Sequence, residues 1–88
     1  MESVDELSEA AQIAYRAFVD MSESKDAHFA LLKSIDDARH AGEPPGFAEH
    51  LELEKLLAVH DRNVLAFKTA MTAVTDVVEI QALVRLMS

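Results

Sequence analysis

The residues of this chain best suited to chemistry are its four histidines, His28, His40, His50 and His60. An unperturbed imidazole titrates near pH ~6.5, and its neutral ring ligates zinc. Two of the four fall at matching places. Both glycines and both prolines lie in one stretch, Ala41-Gly42-Glu43-Pro44-Pro45-Gly46. If two helical arms fold back there, residues equidistant from Pro44 face each other. Ile35 then faces Leu53, Leu32 faces Leu57, Phe18 faces Met71 and Ala14 faces Val74, all of them apolar pairs. The same count sets His28 opposite His60. In the simpler assignment both imidazoles are neutral and hydrogen-bonded at the edge of the seam, to groups such as Asp26 or Asp61. In the sharper one, His28 and His60 form a pH-sensitive pair or a weak metal pair. Two imidazoles fall short of a metal site, and a third ligand would have to come from Asp26, Asp61 or another chain, so no metal is assigned. A role as a His-based carrier or metal-binding accessory protein, working through His60, is the alternative that this pair keeps open.

The remaining polar residues have simpler assignments. His40 and His50 flank the loop, and a histidine near a helix C-terminus is favourable. Glu49, Glu52 and Glu54 read as a solvated face, with Glu52 three residues before Lys55. Asp36 and Asp37 sit near the end of the first arm, against the helix dipole, and read as an exposed face. The chain has no glycine-rich phosphate loop, no HExxH and no nucleophile elbow. His60-Asp61 is a neighbouring pair, and neighbours on a helix point about 100° apart, so they do not form a dyad unaided. The expectation is a protein that is not an enzyme, with no catalytic residues and no cofactor.

Elements that would position these residues are helical throughout. There is no period-two alternation and no hairpin dipeptide. Ser3 and Glu6 have the spacing of a capping box. A first arm, residues 4–40, follows with a heptad seam of Val4, Leu7, Ala11, Ala14, Phe18 and Met21. Ser22-Glu23-Ser24-Lys25-Asp26 interrupts the apolar content and is either a break or an exposed turn of one long helix; Leu32 and Ile35 resume in the same frame, which favours one long or slightly kinked helix to about Arg39. Gly42 suits a helix C′ position, and the prolines forbid continuation through loop 41–46. A second arm, residues 47–87, carries Leu53, Leu57, His60, Val64, Phe67, Met71, Val74 and Val78. Asp76 and Glu79 offer another cap, so the arm either breaks near 72–76 into a short folded-back helix or runs straight to its end. The fold class is all-α, as an antiparallel helical hairpin or small three-helix bundle, in a single domain spanning 1–88.

Composition narrows the function classes. Sixteen acids against eight Lys plus Arg give a net charge of −8. That disfavours nucleic acid and anionic lipid, both of which need clustered cations. No stretch approaches the ~18 apolar residues of a membrane span. The acidic start Met1-Glu2-Ser3-Val4-Asp5-Glu6 does not read as a signal peptide, and the absence of cysteine fits a reducing compartment, so the expected location is cytoplasmic. Half of the residues are hydrophobic, and in a hairpin each helix covers only one stripe of the other. Ile13, Phe29, Leu31, Leu51, Leu56, Leu65 and Ile80 fall off the seam and need cover from a third helix, a second copy or another protein. The expected partner is therefore a protein, either the chain itself or another helical protein, in a homo-oligomer or hetero-complex. The expected contact surface is Leu56, Val59, Phe67, Met71, Val74 and Val78 of the second arm with Ile80, Leu83 and Val84. On that reading Phe67→Asp abolishes association and leaves helicity intact.

A helix, a proline-containing turn, and a helix with Ala48-Glu49 near its start and Arg62-Asn63 about a turn before Phe67-Lys68 resembles the needle and inner-rod subunits of type III secretion systems. The resemblance covers roughly residues 42–70. Here the Arg-Asn is one residue out of phase, the prolines are adjacent rather than spaced, and the second arm is longer. The small helical chaperones of those systems share the shape. The resemblance implies a helical hairpin that polymerises through its C-terminal helix. The stretch from Ala38 to His60 is also similar to lactose-type phosphotransferase IIA subunits, without their later histidine-bearing helix.

Overall fold

The computed structural model describes residues 4–43 and 46–88. A single 3-10 turn, Val4–Glu6, leads into α1, Glu9–His40; α2 spans Phe47–Thr72 and α3 spans Val77–Met87. The fold is all-α: α1 and α2 form an antiparallel hairpin, and α3 turns off the end of α2 to pack on the first turns of α1.

The boundaries have local causes. The expected cap at Ser3 lies outside the described residues, and Glu6 belongs to the 3-10 turn. The N-cap of α1 is Ser8, whose side chain accepts from the Ala11 N–H at 3.3 Å. Through Ser22-Glu23-Ser24-Lys25-Asp26 the helix is unbroken. The Ser24 hydroxyl donates to the Met21 carbonyl at 2.9 Å, which satisfies the side chain without opening the helix. At the other end Gly42 adopts φ +87°, the Gly42 N–H bonds the Arg39 carbonyl, and the Glu43 N–H bonds the Ala38 carbonyl. This is a complete Schellman motif. At the second break, Ala73 and Val74 donate to the Ala70 and Met71 carbonyls, and Asp76 then caps α3 by accepting from the Val78 N–H at 2.8 Å.

The buried core sits at one end. Ala11, Ala14, Val74 and Leu83 form it, with Leu7, Ala10, Tyr15, Ala70, Met71, Ile80 and Met87 packed around. Small side chains at Ala11 and Ala14 let the helices approach closely there. Towards the loop, α3 is absent and only two helices remain. With 11 residues, α3 reaches about 16 Å along a stem in which α1 alone runs about 48 Å. The molecule is consequently a rod of 52 × 23 × 17 Å. Its radius of gyration is 17.1 Å, where a compact chain of this length has about 12 Å. Among the described residues no helix is long and apolar enough to cross a membrane.

The hairpin register differs from the count made about Pro44 by about one helical turn. The Phe18 ring meets Phe67, at a centroid distance of 6.0 Å, rather than Met71. The Asn63 amide donates to the Asp20 carbonyl at 3.2 Å, and His60 meets Ser24. Counting outward from Pro44 assumes a symmetric loop. Instead α1 persists to His40 and the Schellman motif turns the chain back, so that α2 begins beside the last turns of α1.

Candidate interaction surface

The nine residues expected to bind a partner are divided among three environments. Val74 and Leu83 are core residues, with Leu83 fully buried, and Met71 and Ile80 pack against them. Phe67 is half-buried against Phe18. These five are engaged within the chain, because α3 folds onto α1 and uses the stripe that a straight second arm would have presented. Phe67→Asp would accordingly put a charge between the two arms and disrupt the hairpin itself, not association alone. Leu56 and Val59 line an open groove between the arms. Val78 and Val84 face outward from α3 with Val77.

The groove, about 310 Å³, is bounded by Asp20, Glu23, Ser24 and Ala27 of α1 and by Leu56, Val59 and Asn63 of α2. Beside it lies the polar contact of the seam. Ser24, 9% exposed, stands 2.9 Å from Nδ1 of half-buried His60. The Ser24 hydroxyl has both the Met21 carbonyl and His60 Nδ1 at 2.9 Å, and the imidazole tautomer decides which group donates in the Ser24–His60 contact. The facing pair of His28 and His60 is therefore corrected. Ser24, one turn earlier, stands opposite His60, and the His28 ring lies by Phe29 at a centroid distance of 6.0 Å. Among the described residues no group of three His, Cys, Asp or Glu side chains is placed to hold a metal ion. At the end of α1, His40 Nδ1 donates to the Asp36 carbonyl at 2.8 Å and lies 3.7 Å from the Asp36 carboxylate. That contact offsets part of the unfavourable placement of Asp36 near the helix C-terminus.

Outside the groove, several large apolar residues of the stem are uncovered. Phe29 and Leu32 of α1, three residues apart, share one face of their helix. Leu57, Leu51 and Phe47 of α2 lie within about 15 Å of the same level of the rod. All five are exposed, Phe47 by 79% and Phe29 by 57%. From the sequence, Phe29 and Leu51 are identifiable as apolar residues off the seam. Phe47 is not, since it reads as the first residue of an arm.

Comparison with protein-family models, curated proteins and solved structures finds no match for this chain.

Proposed function

We propose that the protein acts through protein–protein contacts, as a small acidic helical module that buries the uncovered apolar side of its stem against another chain. The observation that supports this reading is an imbalance of surface. The chain exposes 6220 Å², whereas a compact monomer of this mass exposes about 5,100 Å². Only six hydrophobic residues are buried among those described, three of them alanines, while eleven large ones are exposed. A two-helix stem has no third layer to cover its sides, so the cover must come from elsewhere. Each Leu or Phe that becomes fully buried contributes about 1.5–3 kcal/mol. The net charge of −8 keeps such a surface soluble until it meets its partner.

The test is photo-crosslinking in the cells from which the protein comes. A crosslinking side chain at Phe29 or Leu51 is expected to give adducts of discrete mass, and one at exposed Ala66 is expected to give none. Equal, diffuse labelling at all three positions would remove the basis for an interaction role.

A further inference from the structure

Resting on this reading, we infer that the occupant of the stem face is a second copy of the chain, docked antiparallel through α1. The stripe that carries the exposed apolar residues of α1 is Lys25, Phe29, Leu32 and Asp36. Their spacing of four, three and four residues sets them on one line along the helix. A two-fold axis crossing α1 between Phe29 and Leu32 matches the line to itself. Phe29 of one copy then meets Leu32 of the other, twice, and Lys25 of one copy meets Asp36 of the other, twice. An isologous interface requires this kind of self-complementarity. A stripe with acids at both ends would lack it.

Three further observations favour this occupant. All four residues of the stripe are exposed. Lys25 makes no ion pair among the described residues, and the Asp36 carboxylate has only the His40 ring, at the long distance of 3.7 Å. The surface in excess of a compact monomer is about 1,100 Å², and one subunit of a stable complex buries about 800 Å². Leu57, Leu51 and Phe47 of α2 are exposed at the same level of the rod. The end that α3 covers already has its third layer, so the dimer joins the two uncovered loop halves as a four-helix bundle.

Sedimentation equilibrium of the purified chain tests the proposal. The wild type is expected at twice its 9.7 kDa mass. Phe29→Asp should be monomeric with unchanged far-ultraviolet circular dichroism, because Phe29 is exposed within the chain. Lys25→Asp and Asp36→Lys should each weaken the dimer about tenfold, and the double exchange should bring it back to within about threefold of wild type. A chain that stays monomeric at several hundred micromolar overturns the proposal. So does a dimer indifferent to Phe29→Asp, or one that the double exchange fails to restore. A monomer in solution that still gives discrete crosslinks of another mass in cells would reject the second copy and leave the interaction role standing.

Discussion

Glu79 of α3 completes the N-terminal cap of α1. Its carboxylate accepts from the Ser8 N–H at 2.7 Å and from the Ser8 hydroxyl at 2.8 Å, across 71 positions of sequence. In a capping box, the N-cap Ser accepts from the N3 N–H, and a Glu at N3 reaches back to the N-cap N–H. Here the first half is local, from Ala11 to Ser8. The second half is not, because N3 is Ala11 and carries no carboxylate. Glu79 supplies it from another helix. Its charge also lies at the positive end of the α1 dipole. A helix cap and a tertiary contact are thus one device: α1 is fully capped only while α3 is docked.

Ser8 and Glu79 should therefore couple. Ser8→Ala loses a cap worth about 0.5–2 kcal/mol. Glu79→Ala loses two charge-assisted hydrogen bonds and loosens the start of α3. In a double-mutant cycle followed by urea unfolding, the two losses should fall short of additivity by about 0.5–1.5 kcal/mol. Amide exchange should accelerate in both α3 and the first turn of α1 in either single variant. Additive losses, with exchange changing only around the substituted residue, would show that the two ends are independent.

Features that rest on a few consecutive residues were legible in the sequence. Gly42 ends α1, Asp76 caps α3, and the helix runs through Ser22–Asp26 without a break, although Leu32, expected in the seam, is exposed. Features that depend on how two helices meet were not. Ser3-x-x-Glu6 has the local spacing of a capping box, while Ser8 lacks it, and nothing near Ser8 announces a partner 71 positions away. Glu79 likewise has the spacing to complete a box with Asp76, but the structure turns it towards Ser8. The histidine pairing failed for a related reason. Apolar residues recur every three or four positions, so a register displaced by one turn pairs apolar with apolar just as well. Only polar members such as Ser24, His60, Asp20 and Asn63 distinguish the two registers.

That role of Ser24 is open to measurement. Ser24→Ala leaves Nδ1 of half-buried His60 without its hydrogen-bond partner and should cost about 1 kcal/mol. His28→Ala should cost little, since His28 lies a turn away by Phe29. In nitrogen-15 spectra, the His60 Nδ1 resonance should move on Ser24→Ala and stay in place on His28→Ala. If His28→Ala proves the more damaging of the two, or Ser24→Ala leaves the His60 Nδ1 resonance unmoved, the hairpin register described above is wrong.

The two glycines of the loop should respond in opposite directions to substitution. A Cβ at either position would meet nothing within 4 Å, so crowding plays no part in the comparison. Gly42 has φ +87°, and an L-residue held there costs about 1–2 kcal/mol. For a chain of this length, that is a fall in melting temperature of roughly 5–15 °C on Gly42→Ala. Gly46 has φ −80° and ψ 169°, a conformation open to any residue, and it is the N-cap of α2 with no side chain to offer the orphan N–H groups. Gly46→Ser supplies that acceptor and reduces the freedom of the unfolded chain, for a gain of a few tenths to about 1 kcal/mol. Differential scanning calorimetry of the two variants at one concentration separates the effects. The fixed concentration matters because a self-associating chain melts higher when it is more concentrated. A neutral Gly42→Ala would mean that the Schellman turn does not set where α1 ends. A destabilising Gly46→Ser would mean that α2 does not begin at Phe47.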